Sequence, residues 1–152
     1  MKLLALDAAT EACSAALLLD DRVIERFQVI GRGHAEHLLP MVDEVLAAGG
    51  MALRSLDAVA FGCGPGGFTG LRIAAGLTQG LAAGAGLPVL PVSNLAALAA
   101  AAAAAAATAQ VLACLDARMG EVYWAVFDCT GAYPMPLTAE AVSRPAAVDW
   151  PG

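Results

Sequence analysis

Apolar residues fall in short runs through the first thirty positions of the chain and then change period. Lys2–Asp7 is an apolar run that ends in Asp7-Ala8-Ala9-Thr10, and residues 13–19 and 23–29 follow it, separated by Asp20-Asp21. Short apolar runs divided by turn residues predict three consecutive antiparallel strands. Between residues 34 and 48 the apolar positions Leu38, Met41, Val42 and Val45 lie three and four apart, Leu39 and Leu46 widen the stripe, and Gly49-Gly50 stop it. That spacing predicts a first helix. Pro40 lacks a backbone N–H, so this helix is expected to begin near Leu38 or to bend in its early turns. Residues 57–62 predict a short buried strand, Gly62-Cys63-Gly64-Pro65-Gly66-Gly67 a glycine-rich loop, residues 69–83 a second helix, and residues 88–92 a further strand. Ser93-Asn94 is a natural N-cap pair, and the alanine-rich segment after it predicts a third helix ending near Thr108.

The order is βββαβαβα. Three hairpin-linked strands followed by right-handed crossovers onto parallel neighbours predict an α/β fold of the ribonuclease-H-like kind, a mixed sheet with strand order 3-2-1-4-5 and flanking helices. A weak internal repeat extends the picture. Leu6-Asp7-Ala8 returns as Leu115-Asp116-Ala117, each at the end of an apolar run and followed by a turn and a second apolar run, with Asp20-Asp21 answered loosely by Asp128-Cys129. A duplicated lobe of this type resembles the actin-like ATPase superfamily, which also holds sugar kinases and heat-shock chaperones. On that reading residues 1–108 form a first lobe, and residues 109–152 begin a second, incomplete one with a β-hairpin over 111–128.

Composition narrows the function. Hydrophobic residues make up 59% of the 152 positions and charged ones only 14%, so much of the chain must be buried. The longest uncharged run, 93–115, is mostly alanine and ends in what reads as a separate strand, so no membrane span is expected. Lys2 leads straight into a strand and a turn with no secretory signal pattern, which places the chain in the cytoplasm. Cys13, Cys63, Cys114 and Cys129 form no CxxC pair and are expected to be buried free thiols. A net charge of −6 lacks the Lys/Arg surplus that neutralising phosphates requires, so direct, tight RNA binding by this chain alone is not expected.

The candidate chemistry is incomplete at each place. In the actin-like superfamily the turn after the first strand of each lobe approaches the nucleotide phosphates, which makes Asp7, Thr10 and Asp116 candidates for a phosphate or metal site. Asp116 is followed by Ala117-Arg118-Met119-Gly120, without the Gly-Thr/Ser pattern that would surround a phosphate with amides and hydroxyls. The other use of both aspartates is to accept hydrogen bonds in their own turns. The loop from Gly62 nearly spells a P-loop, but Phe68 stands where the phosphate-binding lysine belongs. Gly64, Gly66, Gly67 and Thr69 are then either a vestigial phosphate loop at a helix N-terminus or a tight turn that needs glycine. His34 and His37 lie three apart with no third ligand nearby, so no metal is expected. Nothing resembles a nucleophile elbow.

Four segments together resemble the TsaB family, also called YeaZ: Leu6-Asp7-Ala8-Ala9-Thr10-Glu11-Ala12-Cys13-Ser14, His34 with Leu38-Leu39-Pro40, Gly64-Pro65-Gly66-Gly67-Phe68-Thr69-Gly70-Leu71-Arg72, and Asp116-Ala117-Arg118-Met119-Gly120-Glu121-Val122-Tyr123. The resemblance runs to about Trp124, and Gly67 stands where such proteins often carry serine. It implies a two-lobed scaffold without catalysis or cofactor of its own. That scaffold pairs with a catalytic paralogue, TsaD, and an ATPase subunit, TsaE. The complex transfers threonylcarbamoyl from an adenylate to the adenosine beside the anticodon of tRNAs reading codons that begin with A, so this chain would meet tRNA only through the complex. The paralogue's metal histidines are spaced i, i+4 in a different context, so His34 and His37 do not inherit that role. Family members are longer by a large part of a lobe, which makes this a shortened form or a divergent short member. The competing readings are an actin-like ATPase or sugar kinase fragment and a metallopeptidase-like protein.

The resemblance also implies a partner interface on the first two helices. Leu38, Met41, Val42 and Val45 belong to a stripe wider than one sheet face needs, and Gly76, Gly80 and Gly84 repeat every four residues on the second helix. The expected assembly is a homodimer when the chain is alone, with one copy replaced by the catalytic paralogue when that is present.

Overall fold

The protein is described by a computed structural model, which covers residues 1–150. The last two positions of the 109–152 segment lie outside the described residues. The chain forms two compact units, one of residues 1–63 and 67–92, the other of 64–66 with the chain from Ser93 onward.

The first unit is built on a five-stranded sheet. Its strands are β1 (Lys2–Asp7), β2 (Ala12–Leu19), β3 (Arg22–Val29), β4 (Ala58–Gly64) and β5 (Val89–Ser93), in the order β3-β2-β1-β4-β5. β1 pairs antiparallel with β2 (Leu6 opposite Ala15) and parallel with β4 (Leu4 opposite Val59). This is the mixed ribonuclease-H-like sheet that the order of elements predicts. Alternation explains the layering: Leu4 and Leu6 on β1 and Ala15 and Leu17 on β2 are buried on one face, where they meet Leu38, Met41, Val42 and Val45 of α1 (His34–Gly49) and Ala74 and Ala82 of α2 (Phe68–Ala85). Thr78, on the same inner side of α2, is fully buried, and its hydroxyl finds no protein partner among the described residues.

α1 departs from expectation at its start. It runs from His34 straight through Pro40, whose missing donor would have met the Glu36 carbonyl. Both residues are exposed, so water can satisfy that acceptor and the interior loses nothing. The helix stops at Gly50 (φ 62°), where the Gly50 and Met51 amides donate to Ala47 and Leu46. Gly49 answers a close approach, since a Cβ there would lie 2.4 Å from a Leu17 methyl.

In the second unit, α3 (Asn94–Ala106) is capped as expected by the Ser93 hydroxyl, which accepts from the Ala96 amide at 3.2 Å. Its Leu95 and Ala99 pack on Val111, Ala113, Ala125 and Phe127 of a β-hairpin formed by β6 (Gln110–Arg118) and β7 (Glu121–Asp128). The sequence boundary at 108/109 groups α3 with the elements before it, whereas its buried face lies on the strands that follow. Two short strands, β8 (Met135–Pro136) and β9 (Ala141–Ser143), also pair with β7. The hairpin turns through Arg118, Met119 and Gly120, all at positive φ. No helix is long and apolar enough to cross a membrane among the described residues.

The cysteines require a correction. Only Cys13 is buried; Cys129 is partly covered, and Cys63 and Cys114 are exposed. Cys63 lies where β4 runs out into the glycine-rich loop, and Cys114 points from the hairpin face opposite the one α3 covers, so membership of an apolar run did not secure burial.

Candidate functional site

β1 delivers Asp7 to a turn that its own side chain closes: Asp7 Oδ1 accepts from the Ala9 amide at 3.0 Å. Thr10 does the same one step on, its hydroxyl accepting from the Ala12 amide at 3.2 Å. In the repeated position Asp116 Oδ1 accepts from the Arg118 amide at 2.8 Å. Asp128 accepts from both the amide and the hydroxyl of Thr130, and these bonds hold its carboxyl below the usual carboxylate range. Asp7, Asp116 and Asp128 each accept a hydrogen bond within their own turns.

The N-terminus of α2 comes down on the turn after β1. The Gly67 amide donates to the Ala9 carbonyl at 2.6 Å. At Gly70, one turn into the helix, a Cβ would lie 1.7 Å from the Ala8 oxygen, so this contact admits only glycine. Sequence reasoning missed Gly70, because its requirement comes from a neighbouring backbone and not from its own torsions. A helix N-terminus presents unpaired amides that favour an anion, and here a carbonyl oxygen already takes one of them. Of the loop glycines only Gly64 needs positive φ (112°); the N-cap Gly67 sits at −64°. Gly64 and Gly66 cluster with the second unit, where the Gly64 amide donates to Asn94 Oδ1 at 2.8 Å. Asp7, Thr10, Gly67 and Thr69 belong to the first.

Both histidines are engaged with backbone oxygens. His34 Nε2 donates to the Thr10 carbonyl and His37 Nδ1 to the Gly33 carbonyl, each at 2.8 Å. A carbonyl only accepts, so the bonded nitrogens carry the protons. No group of three His, Cys, Asp or Glu side chains is placed to hold a metal ion among the described residues. Cys13 is buried, which pushes its thiol up, and its sulfur rests 3.7 Å from that of Met41.

The interface residues divide. Leu38, Met41, Val42 and Val45 are buried in the chain's own core, with 0%, 7%, 1% and 0% exposure, and offer no surface to a partner. That part of the expected interface is corrected: the apolar stripe of α1 is wide, but its centre faces the sheet, and it is Leu39, 43% exposed, that turns outward. Gly76 and Gly80 do lie on the outer face of α2, where an added Cβ would meet nothing.

Comparisons with known proteins agree with one another. The family model described as "TsaD: tRNA N6-adenosine threonylcarbamoyltransferase" matches residues 28–152. The chain is similar to the tRNA threonylcarbamoyladenosine biosynthesis protein TsaB of Escherichia coli, at 47% identity over 97% of this chain and 64% of the relative. It is similar also to that of Haemophilus influenzae, at 51% identity over 82% of this chain and 53% of the relative. The chain thus spans between about half and two thirds of the length of these curated relatives. A solved structure, YeaZ from Pseudomonas aeruginosa, superposes with a TM-score of 0.94 at 48% identity, covering 99% of this chain and 71% of that one.

Proposed function

Because this chain belongs to the TsaB (YeaZ) family, we propose that it is a non-catalytic scaffold subunit in the synthesis of threonylcarbamoyladenosine on tRNA. It works by pairing with a TsaD-like catalytic paralogue, beside a TsaE-like ATPase, and pairs with a second copy of itself when alone. The observation that carries the non-catalytic part is the internal use of the groups that would otherwise face a phosphate. Gly67's amide is bonded to Ala9, and the side chains of Asp7, Thr10 and Asp116 are bonded to the amides of their own turns. What such a lobe offers a complex is a shaped surface.

With a net charge of −6 the chain meets tRNA only through the complex, and it resides with that complex in the cytoplasm. The lobes are divided by the repeat at 108/109, with α3 as the element that leaves the first lobe to cover the opening hairpin of the second. Its surviving interface residues are Gly76 and Gly80, joined by Leu39.

Incubation with ATP and Mg²⁺, followed by phosphate release and by elemental analysis of the purified protein, separates this reading from an ATPase, a sugar kinase or a metallopeptidase. The expected result is turnover no higher than a heat-treated control and transition metal far below stoichiometric. Turnover above that control, or about one equivalent of bound metal, would refute it.

A further inference from the structure

Within the second unit, the C-terminal half of α3 and the loop after β7 border a cleft of about 550 Å³. Ala100, Ala103 and Ala104 line it with methyl groups, and its polar side chains are Thr108, Cys129 and Thr130. Each of those three has its hydrogen committed elsewhere. Thr108 Oγ1 donates to the Gln110 carbonyl at 3.1 Å, Thr130 Oγ1 to Asp128 Oδ1 at 2.7 Å, and the Cys129 thiol to the Ala99 carbonyl at 3.9 Å. What these side chains have left to offer is acceptor lone pairs.

The helix end adds acceptors of the same kind. α1 and α2 close on glycines, with the Gly50 amide donating to the Ala47 carbonyl and the Gly86 amide to that of Ala82. α3 ends instead on Ala107 at φ 50°, with no capping amide and no basic side chain in its last turn among the described residues. Its final carbonyls are therefore open acceptors at the negative end of the helix dipole. Asp128 adds charge beside them: its bonds from Thr130 hold its carboxyl below the usual carboxylate range, and it has no ion-pair partner among the described residues.

We infer that this cleft takes the side chain of a lysine carried by a partner protein, with the alkyl stem along the alanine methyls and the ammonium at the α3 carbonyls. Side chains that can only accept match a group that only donates, and the negative helix end repels a carboxylate or a phosphate. Carbonyls gathered at a helix end suit a compact ammonium with three rotatable donors better than the planar fork of arginine. Ala100 and Ala104 stand about 6 Å apart along the axis, a span that a four-carbon stem covers. Ala100, Ala104 and Thr108 are exposed, so the cleft is open on the side from which a protein-borne side chain enters. A chain with a net charge of −6 favours a basic partner. The inference goes beyond the scaffold role and is tested on the chain by itself.

The test follows the amide resonances of Ala104, Thr108 and Thr130 by heteronuclear NMR at low salt. The probes are Nα-acetyl-lysine methylamide, the norleucine and arginine analogues of it, and butylammonium. The lysine probe is expected to shift these amides saturably, with a dissociation constant at least about tenfold below those of the norleucine and arginine probes. A104L, which fills the cleft, should weaken it about tenfold or more. A97L, the same change at an exposed position of α3 outside the cleft, should leave it within about threefold. Circular dichroism checks that both variants fold. A norleucine or arginine probe that binds as well as lysine, or lysine binding indifferent to A104L, overturns the inference. Butylammonium binding about tenfold more tightly than the lysine probe overturns it in favour of a free amine.

Discussion

Gly70→Ala is expected to destabilise the protein by more than about 3 kcal/mol. The new methyl would sit 1.7 Å from the Ala8 oxygen and 2.9 Å from its carbonyl carbon, and both obstacles are backbone, which cannot rotate aside. Relief requires lifting the first turn of α2 from the turn after β1, which gives up the Gly67 to Ala9 hydrogen bond and loosens Ala74 in the core. Gly84→Ala, on the same helix with nothing within 4 Å of the added carbon, is the control. That substitution should stabilise by roughly 0.5–1 kcal/mol through helix propensity alone. Denaturant unfolding of the two variants measures the contrast. Equal midpoints for both would mean that α2 does not rest on the turn as described.

Val45→Glu carries the other large effect. Val45 is fully buried in the cluster with Leu17, Leu38 and Val42. The substitution removes an apolar contact worth about 1.5–3 kcal/mol and places an unpaired carboxylate in an apolar interior, at a further cost of several kcal/mol. The sum rivals the whole stability of a small domain, about 5–15 kcal/mol, so the variant should be unfolded at room temperature. Leu39→Glu, six residues earlier on the outward face, should keep the far-UV circular dichroism of the unaltered chain. A folded Val45→Glu protein would place that residue at the surface and restore it as an interface position.

These two residues show where sequence reading reaches and where it stops. Period-2 and 3.6-residue patterns report one element at a time, so β1 at Lys2–Asp7, the α3 cap at Ser93 and the sheet order followed from local signals and general connection rules. The stripe on α1 announced that more apolar surface was present than one sheet face needs. Which side chain would be left outside depends on how the helix is rolled against Leu4, Leu6 and Leu17, a tertiary choice that turned Leu39 out and Met41 in.

α3 shows the same limit, because its alanines specify a helix without specifying the surface it covers; Leu95 and Ala99 chose the hairpin of β6 and β7. β8 and β9, at two and three residues, are too short to display any alternation. In the candidate site the aspartates and glycines were legible as residues of special chemistry. Their partners, the amides of Ala9 and Arg118 and the carbonyls of Ala8 and Ala9, are backbone groups that carry no signature in the sequence.

The most direct test of the scaffold role is the amount of threonylcarbamoyladenosine formed on tRNA by a TsaD-like and a TsaE-like protein, with and without this chain. The account predicts modification that depends on the chain's presence, rises to a plateau at one copy per catalytic subunit, and is absent when the chain is incubated with tRNA and substrates by itself. Modification at an undiminished rate without the chain, or product formed by the chain alone, would contradict it.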